Sequence, residues 1–139
     1  MHADFKWHDE FSVGVEVLDE QHRHMFELAE RMIAVQPEET KKLIVELYRY
    51  VAQHFAVEED HMKAIGYPDF EAHRRQHEQL IENLNGMTRG FVPTARTTLK
   101  LKMFFFDWLR SHILKSDRKY FDFARANRKG DGIKIVRPE

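Results

Sequence analysis

Apolar residues recur at three- and four-residue steps in four long stretches of the chain, and at two-residue steps in one short stretch. The short one is FSVGVEV, residues 11–17, where Phe11, Val13, Val15 and Val17 alternate with Ser12, Gly14 and Glu16. That period predicts an extended arm with one apolar face. Asp19 then reads as the N-cap of a first helix, whose stripe is His22, Met25, Phe26, Ala29 and Ile33 and which stops near Gln36. Pro37 suits a first helical turn, and Glu38 and Glu39 sit at the positive end of a second helix running to Gly66. Its stripe is Leu43, Leu47, Val51, His54, Glu58, Met62 and Ile65. After a Tyr67-Pro68-Asp69 turn, the third helix puts Phe70, His73, His77, Leu80, Ile81 and Leu84 on one face, and Arg74, Arg75, Glu78, Gln79 and Glu82 point away. It frays between Gly86 and Gly90, and Pro93 and Thr94 open a fourth helix that extends to about Asn127.

The fourth stripe changes register. Leu101, Phe105, Trp108 and His112 keep one line, whereas Asp117, Phe121 and Ala124 continue from Ile113. His112 and Asp117 are five residues apart, a rotation of about 140° in a regular α-helix, so a widened i→i+5 turn is expected between them. Short connections between long amphipathic helices favour antiparallel neighbours. The expected fold is all-α: an up-down-up-down antiparallel four-helix bundle over residues 19–127, an N-terminal arm over 1–18 packed on it, and a C-terminal tail over 128–139.

Composition narrows the function classes. The 139 residues, 42% hydrophobic, suffice for one domain with a real core. Lys and Arg number 22 against 23 Asp and Glu, interspersed, so no electrostatic footprint for nucleic acid is present. The N-terminus MHADFKWHDEF has no apolar h-region and no apolar run approaches the roughly 20 residues of a membrane span, so a cytoplasmic protein without membrane insertion is expected. With no cysteine, any metal must be held by nitrogen and oxygen. The nine histidines are an excess that needs a reason.

Several of them lie on stripes meant for the core. The first helix contributes His22, the second His54 and Glu58, the third His73 and His77, the fourth His112 and Asp117. Each has an ordinary explanation taken alone: a lone histidine at a helix interface is usually a hydrogen-bonded core residue, and H-x-x-x-H is common on exposed helices. Four helices that each spend core positions on such residues are not explained that way, because a metal-free core would bear the desolvation repeatedly. Five imidazoles and two carboxylates are too many for one tetrahedral ion but suit two metals bridged by both carboxylates.

The segments SVGVEVLDEQH (12–22), HFAVEEDHM (54–62), YPDFEAHRRQH (67–77) and WLRSHILKSD (108–117) resemble the successive ligand motifs of hemerythrins, in particular the bacterial single-domain form. The resemblance spans about residues 5–125. It implies a non-haem di-iron centre that binds dioxygen reversibly, as carrier, store or sensor rather than as an enzyme. His73, His77 and His112 would ligate one coordinatively full iron, and His22 and His54 the other. Glu58 and Asp117 would bridge the two irons beside an oxo or hydroxo group, leaving one open position on the two-histidine iron. Met25, Phe55, Trp108, Leu109 and Ile113 match the family's apolar oxygen pocket. An oxidase, peroxidase or nitric-oxide-handling enzyme on the same scaffold is the alternative, and a structural zinc site a weaker third. Ligation rich in histidine, with two carboxylates, favours oxygen binding.

The remaining residues are read as follows. His2, His8 and His24 are surface residues with no ligand role. Glu58-x-x-His61 has the spacing of carboxylate-bridged di-iron proteins, but the second copy those proteins use is missing, so His61 is placed at the periphery. Lys115, Arg118, Lys119, Arg125, Arg128 and Lys129 form a solvated basic face near a helix C-terminus. No feature identifies a protein partner.

Overall fold

The computed structural model describes residues 6–31 and 37–126, and every regular element among them is helical. A single 3-10 turn at Asp9–Phe11 leads into α1, Glu16–Arg31, followed by α2, Pro37–Ile65, and α3, Phe70–Thr88. A fourth rod is built from α4, Ala95–His112, a π-helical turn at Ile113–Asp117, and α5, Arg118–Ala126. These rods form the up-down-up-down antiparallel four-helix bundle, with α1 against α2 and α4, and α2 against α3. None of the described helices is long and apolar enough to cross a membrane.

The stripes close the core as their periods require. All seven positions of the α2 stripe, from Leu43 to Ile65, are buried. On α3, His73, His77, Leu80 and Leu84 are buried while Phe70 and Ile81 lie at the edge. Local chemistry sets the ends. Gly66, at φ 68°, closes α2 by sending its N–H to Lys63 O and the Tyr67 N–H back to Met62 O, a left-handed cap open to glycine. Thr94 caps α4 by accepting the Thr97 N–H at 3.0 Å, and the Thr97 hydroxyl accepts the Thr94 N–H at 2.9 Å.

The expected widened turn is present. The Arg118 N–H reaches Ile113 O, five residues back, and the backbone stays right-handed helical at both ends of the turn. One extra residue in that turn brings both His112 and Asp117 to the bundle axis, with His112 Nε2 3.2 Å from Asp117 Oδ1. The register change in the stripe is thereby satisfied: Leu101, Phe105 and His112 are buried before the turn, and Ile113, Asp117, Phe121 and Ala124 from it onward.

Three expectations at the edges of the bundle need correction or lie elsewhere. Asp19 is not the N-cap of α1. The helix starts at Glu16, and the Asp19 N–H already bonds Val15 O at 2.9 Å. The carboxylate instead takes the Val13 N–H at 2.9 Å and the Ser12 hydroxyl at 2.6 Å, from a position that is itself buried. The physical reason is direction: the side chain tilts back toward the helix start, where the arm's donors are. The arm is accordingly not one extended strand. Phe11 ends the 3-10 turn and Gly14 turns the chain at φ 81°. Phe11 and Val13 are buried nonetheless, and Phe11 stacks on Phe26 with ring centroids 5.5 Å apart.

The basic face is also partly structural. Arg118 donates to Glu10 O, and Arg125 donates to Val13 O at 2.6 Å, so α5 clamps the arm. Lys119 pairs with Asp69 at 2.5 Å. The end of the first helix at Gln36, with Ile33, and the tail over 128–139, with Arg128 and Lys129, lie outside the described residues.

Asp19→Ala leaves a buried Val13 N–H without an acceptor, an effect on the order of 1–3 kcal/mol. The variant is expected to unfold at lower urea by about that amount, and Asp19→Asn, which keeps an acceptor for Val13, to lose less. A midpoint unchanged in Asp19→Ala would mean that the arm contributes nothing to stability.

Candidate metal centre

Seven polar side chains converge where the helices face one another at mid-bundle. His22 comes from α1, His54 and Glu58 from α2, His73 and His77 from α3, His112 from the end of α4 and Asp117 from the π turn. All are buried, none more than 5% exposed. Spacing of i, i+4 places His54 above Glu58 and His73 above His77 on single helix faces.

The atoms sort into two groups. Glu58, His73, His77, His112 and Asp117 form one, and His22, His54, Glu58 and Asp117 the other; in each, one ligand-type atom per residue lies within 4.8 Å of all the rest. Both carboxylates belong to both groups, and their oxygens divide between them. Glu58 Oε1 lies 3.2 Å from His77 Nε2 and 3.8 Å from His73 Nε2, while Oε2 lies 3.4 Å from His54 Nε2 and 3.7 Å from His22 Nε2. Asp117 Oδ1 lies 3.1 Å from His73 Nε2 and 3.2 Å from His112 Nε2, while Oδ2 faces His22 Nε2 at 3.3 Å. Neighbouring ligands of a six-coordinate ion with bonds of about 2.1 Å stand about 3.0 Å apart. The observed spacings are close to that.

These contacts are near but poorly aimed at one another. Both oxygens of Glu58 and of Asp117, both nitrogens of His22 and Nε2 of His73 are buried without a hydrogen-bond partner. A core rarely leaves so many polar atoms unsatisfied, since each costs on the order of 1–3 kcal/mol. The outward nitrogens sharpen the point. His54 Nδ1 faces Gln21 Oε1 at 2.6 Å, His77 Nδ1 faces Glu59 Oε2 at 2.8 Å, and His112 Nδ1 faces Gln76 Oε1 at 3.0 Å. Amide and carboxylate oxygens accept, so each Nδ1 carries the proton and each Nε2 presents a lone pair inward. With both rings neutral, His77 and His112 aim two lone pairs at each other across 3.0 Å. A cation between them removes that repulsion, and the donor set of five nitrogens and two carboxylates fits two divalent or trivalent first-row ions.

Electrostatics in the metal-free site say the same. Burial works against charging His22 and His73, but the two adjacent carboxylates outweigh it and raise them to about 9 and about 10. Burial lowers His54 and His112, whose carboxylate neighbours do not compensate. Glu58 and Asp117 are held well below the usual carboxylate range, because the imidazoles around them overcome burial. His77 is raised too, burial being outweighed by Glu58 and Glu59, so imidazolium protons stand in for cations beside the two buried carboxylates.

Residues outside the expected ligand set complete the centre. Gln21, Glu59 and Gln76 were not singled out in the sequence, although Gln21 and Gln76 directly precede His22 and His77 and Glu59 directly follows Glu58. Each serves a histidine of the next helix: Gln21 on α1 serves α2, Glu59 on α2 serves α3, Gln76 on α3 serves α4. The signal available was a polar residue one step off an inward-facing ligand. Ser116 also donates to Gln76 Oε1, at 2.5 Å. His61 belongs to neither ligand group, yet it is buried, with its Nδ1 joined to the Tyr120 hydroxyl. Tyr120 in turn packs edge-on against His73, centroids 5.8 Å apart. His8 is exposed, His24 rests on Tyr50 at 4.4 Å, and His2 lies outside the described residues.

The apolar candidates surround this cluster unevenly. Phe55 stacks flat on His77, at 3.7 Å and 4°, and Trp108 stacks on His112, at 4.4 Å and 15°. The two aromatic rings themselves lie 5.9 Å apart. Phe55, expected beside His54, thus covers the three-histidine group at closer range, its centroid being 6.0 Å from His54. Met25, Leu109 and Ile113 are buried in the surrounding core, and Trp108 is half-buried.

Known proteins carry the same arrangement of chain. The family model described as Hemerythrin HHE cation binding domain matches residues 13–124. A bacteriohemerythrin of Clostridium acetobutylicum is 30% identical over 128 residues, covering 85% of this chain and 99% of that protein. A myohemerythrin of Theromyzon tessulatum is 30% identical over 117 residues, covering 84% of this chain and 90% of that one. Among solved structures, a wild-type hemerythrin crystal structure superposes with a TM-score of 0.75 at 30% identity, covering 86% of this chain and 97% of that chain. A match that runs from residue 13 in the arm to residue 124 in α5, over a bundle whose four rods meet at a histidine and carboxylate centre, places this chain in the hemerythrin family.

Proposed function

We propose that this chain is a non-haem di-iron protein that binds dioxygen reversibly, as a carrier, store or sensor. The observation that carries the reading is the division of Glu58 and Asp117 between two histidine groups, one oxygen of each carboxylate to each side. In this reading His73, His77 and His112 hold one iron, His22 and His54 hold the other, and the two carboxylates bridge them. Two ferrous ions supply the electrons that reversible oxygen binding takes.

The chain's own residues set the conditions. Gln21, Glu59 and Gln76 hold three imidazoles in the tautomer whose Nε2 can ligate. Three histidines on one side and two on the other make the two-histidine side the one with room for a further ligand. Met25, Leu109 and Ile113 keep bulk water and its protons from that site, while Phe55 and Trp108, stacked on His77 and His112, close the centre from the three-histidine side, the condition under which oxygen leaves as it came. Five imidazoles with two carboxylates favour binding over oxidation of a substrate, because imidazole supports high-valent iron less readily than carboxylate.

Anaerobic reconstitution is expected to give two irons per chain and a melting temperature well above that of the metal-free protein. Admitting air should raise a visible charge-transfer band that disappears on deoxygenation. His77→Ala should lose iron and His61→Ala retain it. One metal per chain, or a band that bleaches only as a substrate turns over, would reject the proposal.

Loading should also displace protons. At pH 7.5 His22 and His73 are protonated in the metal-free chain, since about 9 and about 10 both lie above that pH. Binding two ions at this pH is expected to release at least the protons of His22 and His73, seen by calorimetry in buffers of different ionisation enthalpy. The sign for stability follows. Groups raised from 6.5 stabilise the metal-free fold fully below 6.5 and lose that contribution as pH rises through about 9 and 10. Glu58 and Asp117, depressed, act oppositely, contributing above the ordinary carboxylate range and losing it in acid. Metal-free protein should therefore lose stability as pH rises from 6.5 toward about 9 and 10, a window in which the loaded protein does not.

Leu109→Ala and Ile113→Ala test the water-excluding wall. Both are expected to keep their iron and to oxidise faster in air than the parent. Equal oxidation rates at equal iron content would move the oxygen site elsewhere.

A further inference from the structure

Three of the five histidines have an outward nitrogen fixed by a side chain of the preceding helix, and the three fixing groups are not alike. His54 leans on the amide oxygen of Gln21 and His112 on that of Gln76, whereas His77 leans on the carboxylate of Glu59, at 2.8 Å. Glu59 is the one carboxylate of this set among the described residues. Its side chain is 23% exposed, so it meets both water and the ring of His77. The His77 ring is pressed flat by Phe55 at 3.7 Å on one face while its Nδ1 is tied to Glu59.

A carboxylate that accepts from the outer N–H of an imidazole draws that proton toward itself and leaves more electron density at the inner nitrogen than an amide can. It adds a negative charge on the three-histidine side that the two-histidine side does not have. His22, by contrast, has no hydrogen-bond partner at Nδ1, and Gln21 leaves its own Nε2 unpartnered. The two halves of the centre thus differ in outer support as well as in ligand number.

We infer that Glu59 is the residue that makes the two metal sites unequal, by strengthening His77 as a donor so that the three-histidine site fills first and holds its ion more tightly. Glu59 acts through His77 and touches no ligand position itself; it is a positioning residue. The inference rests on the di-iron reading. It gives a hemerythrin chain an internal order of assembly: the site that offers no open position is completed first, and the site that would meet oxygen is completed second.

The test is an anaerobic titration of metal-free protein with Co2+, whose d–d bands report each site, followed through both binding steps. The parent chain is expected to bind two Co2+ in resolved steps. Glu59→Gln, which keeps an acceptor for His77 but removes the charge, should weaken the first step about 10–100-fold and leave the second unchanged. Gln21→Glu places a carboxylate beneath His54 without removing a satisfied hydrogen bond, because the Gln21 Nε2 has none. It should strengthen the second step and so narrow the gap between the two. In the His54→Ala background, which disables the two-histidine site, Glu59→Gln should still weaken the remaining Co2+ by the same factor. Two-metal binding with both constants unchanged in Glu59→Gln would overturn this inference and leave the di-iron reading intact. A parent chain that binds fewer than two Co2+ would instead reject the di-iron reading. Far-ultraviolet circular dichroism of each metal-free variant verifies that the bundle is formed before titration.

Discussion

Two carboxylates buried at the centre of a bundle, Glu58 and Asp117, are the constraint from which the rest follows. An ionised carboxylate in a core is costly unless positive charge meets it, and five imidazoles drawn from all four rods are what meets it here. Each rod must therefore bring its polar side chain to one height along the bundle while its apolar stripe continues above and below. The long run of buried leucine, valine and methionine on α2 shows how that is done: His54 and Glu58 occupy two consecutive places in an otherwise apolar line, and the line resumes at Met62. Without metal, protons on His22 and His73 balance the charge. The same geometry that makes the site expensive empty makes it strong when filled.

Around the inner atoms lies a second layer that hands orientation from helix to helix. Gln21, Glu59 and Gln76 each fix a histidine on the following rod, so a ligand's direction depends on the packing of two helices and not on its own helix alone. Phe55 and Trp108 add flat contacts to His77 and His112. The layer therefore links bundle stability to ligand geometry, and through that geometry to any chemistry the centre performs.

Much of this was readable from the chain. Periodicity placed the four rods, and the stripe on α2 held at every position because one uninterrupted helix keeps one phase. The phase break between His112 and Asp117 required a widened turn, and the π turn lies there. What the sequence did not disclose were interactions set by direction or by contact between distant segments. Asp19 has the residue type of an N-cap, but its carboxylate reaches back to Val13 and Ser12, which spacing cannot tell. The glutamine and glutamate supports were hidden because their partners lie 18 to 36 residues away on other helices. His61 lay off the clean stripe and still became buried, since Tyr120 on α5 supplies its partner. The arginines of the basic face found carbonyls of the arm more than a hundred residues earlier.

The extra residue of the π turn does more than aim a carboxylate. It sets back the rotational phase of everything after it by about 100° relative to an unbroken α-helix. Arg118 and Arg125 lie downstream of that step, and it is in the shifted phase that they meet the carbonyls of Glu10 and Val13. The inward aim of Asp117 and the fastening of the N-terminal arm are thus timed by a single insertion, like two cams keyed to one shaft. A one-residue deletion anywhere in that turn would slip both at once.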